Sequence, residues 1–210
     1  MALKNESYKQ FWDSRYGAVE YAYGKEPNLF FKEQLERLKP GSILLPAEGE
    51  GRNAVFAATR NWNVTAFDLS EAGKLKASLL AQEYNVSVNY LVGDLEHLRF
   101  NKDTFDAIGL IYSHFLSDKK SLYHKKLDYY LKPGGVVIFE AFSKKNLALV
   151  EANPKVGGAM DVNMLFSMEE IEADFPNYKI DLLQEKEIEL KEGIYHNGIG
   201  SVIRFVGRKS

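Results

Sequence analysis

The sequence predicts an α/β fold, a doubly wound and mostly parallel sheet of seven strands that ends in an antiparallel C-terminal strand pair. Short apolar segments alternate with helix-forming segments between residues 42 and 142. A Gly-x-Gly turn follows the first apolar segment, and an acid ends the second. After residue 177, a link too short for a helix joins two strand-like segments. Such alternation is typical of parallel sheets with right-handed crossovers, whereas a short link joins antiparallel strands.

Two helices are predicted before the sheet. The segment Glu6–Tyr16 carries aromatic residues at helical spacings and is followed by Gly17, so it predicts a short amphipathic helix. After an aromatic loop, Pro27 suits the first turn of a second helix, which a Pro-Gly pair at residues 40–41 ends.

Five strands and three helices are predicted to alternate in the central part of the chain. The predicted strands are Ile43–Leu45, Val64–Phe67, Val88–Val92, Phe105–Ile111 and Val136–Phe142. The predicted helices are Arg52–Arg60, Ser70–Tyr84 and Leu116–Leu131, the last two with Ser70 and Ser117 as N-caps.

The C-terminal part has a different pattern. Ser167 and Glu170 have the spacing of a capping box and predict a helix that runs to Phe175. Tyr178–Lys191 and Ile199–Arg208 are predicted as the antiparallel strands. The chain has 210 residues and no repeat or linker, which predicts a single domain over residues 1–210.

Composition and charge exclude several classes of function. A net charge of −2 argues against a nucleic-acid partner, and the absence of cysteine excludes disulfides and thiolate metal sites. No metal is expected, because the four histidines lack metal-site spacing. No apolar run reaches the ~18 residues of a membrane span, and no signal peptide is evident. We therefore expect a cytoplasmic protein without a membrane partner.

The glycine turn and the acid after the second strand form the first candidate site. Gly49 and Gly51 allow the backbone to approach a ligand, and Asp68 ends the next strand at ribose-hydroxyl distance in this type of fold. This arrangement predicts an adenosine-type cofactor. Gly49, Gly51 and Ala54 also fit the Gly-x-Gly-x-x-Ala pattern of NAD(P)-dependent reductases, so that reading stays open.

Six motifs together resemble class I S-adenosylmethionine-dependent methyltransferases. Within that family the pattern is similar to the small bacterial branch that includes the tellurite-resistance methyltransferase, and more distantly to the thiopurine methyltransferases. The resemblance runs from about Phe11 to Arg208. The motifs are Phe11–Tyr16, Tyr23–Asn28, Gly49–Asn53, Asp68–Ser70, Gly93–Leu95 and Leu131–Gly135.

The resemblance implies S-adenosylmethionine as the cofactor and assigns roles along it. Asp68 would accept from the ribose hydroxyls, and Asp94 from the adenine amino group, both of which are donors. The glycine turn would lie under the methionine part, and Tyr112 near the sulfonium. The implied cofactor contacts are Glu48, Gly49, Gly51, Arg52, Asn53, Asp68, Leu69, Asp94, Leu95 and Ile111.

Two positions depart from the family pattern. Leu45 stands where the family has an acid at the end of the first strand, and Ala47 replaces the first glycine of the motif. Loss of the acid removes the usual anchor of the cofactor ammonium group. Glu48 or Glu50 could restore that charge from the loop.

The resemblance also implies a lid and an acceptor site. Residues 1–40 would form a helical lid over the core, with Trp12, Tyr16, Tyr23 and, from the last loop, His196 near the acceptor. Tyr112 and His114 are the catalytic candidates, with His196 the second choice for a base. Because no carboxylate–histidine pair is evident beside the fourth strand, we expect transfer without a protein base.

These patterns predict methyl transfer to a small-molecule acceptor, a soft nucleophile. The alternatives are an NAD(P)-dependent reductase, or a non-catalytic cofactor-binding protein, which the missing acid at Leu45 would favour.

Overall fold

The protein is described by a computed structural model that covers residues 2–210, with side chains described from Glu6 onward. Its helices are α1 (Ala2–Tyr16), α2 (Leu29–Leu35), α3 (Arg52–Thr59), α4 (Glu71–Glu83), α5 (Lys120–Tyr130), α6 (Asn146–Ala152) and α7 (Met168–Asp174). Its strands are β1 (Ser42–Pro46), β2 (Asn63–Asp68), β3 (Asn89–Val92), β4 (Phe105–Ile111), β5 (Leu131–Phe142), β6 (Tyr178–Glu192) and β7 (His196–Lys209). Two 3₁₀ turns, Pro154–Val156 and Val162–Met164, precede α7.

The seven strands form one sheet in the order β3-β2-β1-β4-β5-β7-β6. The first five strands are parallel to their neighbours, and β7 runs antiparallel to both β5 and β6. This confirms the predicted fold. The chain order reverses between β1 and β4, and open α/β sheets bind ligands at such a switch point.

The hydrophobic core lies on both faces of this sheet. Alternate residues of β1 enter different clusters: Leu44 packs with the α5 and α7 side, while Ile43 and Leu45 pack with the α2 and α3 side. Side chains of a strand point to opposite faces in turn, so both faces are covered by helices. No helix in residues 2–210 is both long and apolar enough to cross a bilayer.

Several predicted boundaries were wrong. Helix α5 begins at Lys120, four residues late, and Ser117 does not cap it; its N-cap position is Lys119, which makes no side-chain capping bond. Pro27 precedes the N-cap residue Asn28 rather than entering α2. Strand β7 already begins at His196, which the sequence placed in a loop. By contrast, the caps at Ser70 and Ser167 are confirmed.

The predicted lid segment, residues 1–40, divides into two parts. Only α1 lies over the carboxyl ends of the strands, whereas α2 places Phe30, Phe31 and Leu35 in the core. The exposed residues 17–20 join α1 to the body. Helix α1 and the loop residues Tyr23 and Gly24 therefore line the cavity, whereas α2 belongs to the core.

Candidate functional site

A cavity of about 550 Å³ opens at the carboxyl ends of the parallel strands. Its lining follows the order of the strands in the sheet. The ends of β3, β2 and β1 contribute Asp94, Asp68 and Glu48, while β4, β5 and β7 contribute Tyr112, Phe142 and His196. One half of the cavity is therefore acidic, and the other is aromatic.

The glycine turn forms the floor between the two halves. Gly49 and Gly51 have φ values of 60° and 85°, which side-chain-bearing residues rarely adopt. A Cβ atom on Gly49 would lie 2.6 Å from the hydroxyl of Tyr16, and one on Gly51 would lie 2.5 Å from the Cβ of Ala77. Both positions need glycine because the backbone conformation and the close packing leave no space for a side chain.

Asp68 is a buried carboxylate at the end of β2. It accepts hydrogen bonds from the backbone amides of Gly49 at 3.0 Å and Ser70 at 2.9 Å. Burial raises the pKa of Asp68 to about 6, although these backbone bonds oppose the rise. Such a carboxylate gains from further donors, such as vicinal hydroxyls.

The structure distinguishes the two loop glutamates that could replace the missing acid. Glu50 accepts from the amide of Ala22 and pairs with Lys76 at 2.8 Å, so it ties the N-terminal segment to the body. Glu48 accepts from the amide of Ala54 but forms no ion pair with any described residue. Burial raises the pKa of Glu48 to about 7. Leu45 points away from the cavity into the core.

Asp94 lines the far acidic end with Leu95, but protein groups already hold it. Its carboxylate accepts from Lys119, from Tyr123 and from the amide of Glu96. Burial raises the pKa of Asp94, but these bonds outweigh it and leave the pKa below its usual value.

Arg52 and Asn53 line the cavity, yet their polar groups bind the protein itself. Arg52 pairs with Glu192 at 3.0 Å and donates to the carbonyl oxygen of Tyr23, and Asn53 accepts from the amide of Asn28. These bonds tie α3 to the N-terminal segment and to the end of β6. They account for both residues without any cofactor.

Tyr112 and His114 follow β4 at the aromatic half, where Ile111 ends the strand. Tyr112 has φ 50°, a strained conformation for a residue with a side chain. His114 Nδ1 lies 3.1 Å from the carbonyl oxygen of Met164, and its Nε2 is buried with no partner among the described residues. Burial lowers the pKa of His114 to about 4, so this imidazole is neutral near pH 7.

A carboxylate–histidine pair lies at the cavity on the β6–β7 hairpin rather than beside the fourth strand. His196 Nδ1 is 2.9 Å from Oε2 of Glu192, its cross-strand partner in the β6–β7 hairpin. The pair could not be predicted, because the sequence pattern starts the last strand at Ile199 and leaves His196 in the loop, whereas β7 begins at His196. The His196 ring lies 4.5 Å from the rings of Tyr112 and Tyr23.

Helix α1 covers the cavity with an aromatic face. Tyr8, Trp12 and Tyr16 are spaced four residues apart and contact one another, with centroids 6.0 and 5.3 Å apart. The Tyr8 hydroxyl donates to the carbonyl oxygen of His114 at 2.6 Å, which joins α1 to the β4 end. The structure thus brings Trp12, Tyr16 and Tyr23 to the cavity, as expected.

Sequence reasoning missed one whole wall of the cavity. The segment after β5, with α6 and the two 3₁₀ turns, contributes Gly158, Ala159, Met160 and Met164. The Gly157-Gly158 pair was the signal available in the sequence, because adjacent glycines mark a turn. Both residues have positive φ in the structure. Tyr8 was also missed, although it lies four residues before Trp12.

Residues 43–135 match the family model described as a methyltransferase domain. The match covers the strands from β1 to the start of β5, together with the glycine turn, Asp68 and Asp94. No curated protein matches the sequence.

Solved structures share the fold at low sequence identity. A protein from the study of the conversion of a disulfide bond into a thioacetal group in echinomycin biosynthesis has a TM-score of 0.76 at 17% identity, over 96% of this chain and 92% of that one. TehB from Haemophilus influenzae has a TM-score of 0.71 at 13% identity, over 96% of this chain and 67% of that one. A SAM-dependent methyltransferase from Anabaena variabilis has a TM-score of 0.69 at 16% identity, over 98% of this chain and 95% of that one.

Proposed function

We propose that this protein is a class I methyltransferase, that its cofactor is S-adenosylmethionine, and that it transfers the activated methyl group to a small, soft nucleophile held in the aromatic half of the cavity. The observation that carries the proposal is the division of the cavity. Acidic residues and the glycine turn lie at the ends of β3, β2 and β1, where a ligand with adenosyl and amino-acid parts needs hydrogen-bond acceptors. Aromatic rings lie at the same edge of the sheet, at the ends of β4, β5 and β7, where a methyl acceptor would meet the methyl group.

The adenosine part suits the acidic half. Asp94 and the backbone of Leu95 would hold the adenine, while Asp68 and the adjoining Leu69 would hold the ribose. The donor set supports the fit, because the carboxylates of Asp68 and Asp94 can accept the hydrogen bonds that ribose hydroxyls and an adenine amino group donate.

The charges left unpaired in the cavity suit the zwitterionic methionine end. Glu48 lacks an ion-pair partner among the described residues and would take the ammonium group. Three described cations line the cavity; Arg52 and Lys119 are paired with acids, whereas Arg15 donates only to the Tyr23 hydroxyl. Arg15 would therefore take the carboxylate.

When bound, the cofactor supplies a methyl group activated by its sulfonium, and the protein supplies alignment and exclusion of water. The rings of Trp12 and Tyr16 would face the sulfonium cation, an attraction of about 0.5–2 kcal/mol each. The partners remain predictions: a small-molecule acceptor, and neither nucleic acid nor a membrane.

The test is turnover with a panel of small thiols, selenols, amines and phenols, followed by mass spectrometry of the products. We expect methylated product from at least one soft acceptor, and at least a tenfold lower yield from the Asp68→Ala variant at limiting cofactor. Binding of cofactor without methylation of any acceptor would support the non-catalytic alternative.

A further inference from the structure

The hairpin between β6 and β7 holds a histidine and a carboxylate in fixed geometry at the cavity. Glu192 and His196 face each other across the two strands, so their side chains project from the same side of the hairpin. Glu192 Oε2 lies 2.9 Å from His196 Nδ1 and 3.0 Å from Nη2 of Arg52. Burial raises the pKa of Glu192, but Arg52 and His196 outweigh it and bring the pKa to about 2.

This geometry fixes which nitrogen of His196 is free. The ionised Glu192 can only accept, so His196 Nδ1 carries the hydrogen and Nε2 carries the lone pair. His196 lines the cavity beside Tyr112, and its Nε2 makes no hydrogen bond to a described residue. A base that is oriented by a third group in this way is the arrangement found in activated nucleophile systems.

His114 differs from His196 in each of these respects. Its Nδ1 donates to a backbone carbonyl, which cannot stabilise an imidazolium as a carboxylate does. Its Nε2 is fully buried. His114 is therefore a weaker base than His196, the reverse of the order expected from the sequence.

We propose that His196 is the catalytic base of methyl transfer and that Glu192 is its positioning residue. The inference rests on the proposed function of the cavity. It replaces the expectation of transfer without a protein base, and it extends the range of acceptors to those that are protonated at neutral pH.

A protonated acceptor must lose its proton as it attacks the methyl carbon. A lone pair on the acceptor heteroatom forms the bond to the methyl carbon while the methyl–sulfur bond breaks, and its electron pair stays on sulfur in S-adenosylhomocysteine. The acceptor proton passes to Nε2 of His196. Glu192 stabilises the imidazolium, which then releases the proton to water.

Charged groups from several elements face His196 and set its protonation. Burial lowers its pKa, Glu192 raises it, and the cations Arg52 and Arg15 lower it again, with His114 close by. The net shift is downward from 6.5, so His196 is neutral at pH 7 and can accept a proton. The rate should rise with pH through this lowered pKa and then level off near neutrality.

The experiment compares two thiols of similar size that each carry an aromatic ring. At neutral pH, 4-nitrothiophenol is a thiolate, whereas benzyl mercaptan keeps its proton. We expect His196→Gln to lower kcat on benzyl mercaptan by about 10²–10⁴ and on 4-nitrothiophenol by less than about tenfold. The matched control is His97→Gln, the same change at an exposed histidine outside the cavity lining, which should lower kcat less than about twofold on either thiol. Glu192→Gln should move the acid limb of the pH profile to lower pH.

Equal losses on both thiols would reduce His196 to a structural residue, and methylation of the thiolate alone by the wild type would also overturn the inference. A wild type that binds no S-adenosylhomocysteine would instead defeat the proposed function. A readout without turnover is ¹⁵N NMR of histidine-labelled protein, with His196 assigned through His196→Gln. We expect the Nδ1–H tautomer and a titration below 6.5; an Nε2–H tautomer would contradict the proposal.

Discussion

At Asp68, one carboxylate both closes a turn and faces the cavity. It holds the amides of Gly49 and Ser70, and it lines the cavity where the ribose would lie. We expect Asp68→Ala to weaken S-adenosylmethionine binding by about 1.5–3 kcal/mol, because hydroxyl donors would lose a charged acceptor. Calorimetry measures this change. Unchanged affinity in a variant that keeps the wild-type Tm would remove Asp68 from the site.

Glu48 should make cofactor binding depend on pH. Burial raises its pKa to about 7 in the free protein, and only the ionised form attracts an ammonium group. Binding must therefore lower this pKa, so affinity should fall as pH drops below about 7, by up to about tenfold per unit. Glu48→Gln should weaken binding at pH 8 and flatten this dependence. Calorimetry between pH 6 and 8 makes the comparison, and a steep slope retained in the variant would assign it to another group.

Single residues show where prediction from sequence reached its limit. The glycine turn and the acid Asp68 could be identified because neighbours in sequence define them. Sequence patterns could not distinguish the roles of Glu48 and Glu50. The partners of Glu50 are Ala22 and Lys76, which lie far from it in the chain. Likewise, the pairing of Glu192 with His196 depends on the exact register of the hairpin.

Among the elements, α1 is attached to the body mainly through side chains. Asp13 Oδ1 accepts from the hydroxyl of Ser70 at 2.6 Å, and the amide of Ser70 donates to Asp68. Two hydrogen bonds thus connect the lid helix to the candidate ribose site. The exposed residues 17–20 between α1 and the core make this helix the part best able to move.

We expect Asp13→Ala to loosen α1 without unfolding the sheet. Amide exchange in Tyr8–Tyr16 should become about three- to tenfold faster, and S-adenosylhomocysteine should dissociate faster by a similar factor. Hydrogen-exchange mass spectrometry and stopped-flow fluorescence measure the two rates. Lys9→Ala is the control, because it removes the ion pair of Asp13 but leaves its bonds to Ser70 and Ala72. Equal effects of both variants on the two rates would show that the hydrogen bond to Ser70 does not fix the position of α1.

The elements that were predicted well are those with strong local patterns. Strand β4 was predicted with its exact bounds, since Asp106 is the only charged residue in a segment that is otherwise apolar or glycine. The start of α5 and all of α6 were missed. The segment before α5 is held by distant contacts, such as the bond from Ser113 to the carbonyl oxygen of Pro46, that local periodicity does not reveal.

At the scale of the whole molecule, strand order arranges the chemistry. Because β1 lies between β2 and β4, the acids from one side of the sheet and the rings from the other meet over the glycine turn. The alternation of strands and helices predicted a doubly wound, mostly parallel sheet, but neither the strand order nor the wall built from residues 143–166. That wall consists of short helical segments and irregular backbone; Met160 reaches the cavity from irregular backbone and Met164 from the second 3₁₀ turn.

The central claim, that this cavity takes S-adenosylmethionine rather than a dinucleotide, is tested most directly by isothermal titration of the wild-type protein. S-adenosylmethionine, S-adenosylhomocysteine and NADH are titrated in turn under identical conditions. We predict one binding site per chain for each of the first two ligands and no binding of NADH. Binding of NADH without binding of S-adenosylhomocysteine would contradict the account and favour the reductase.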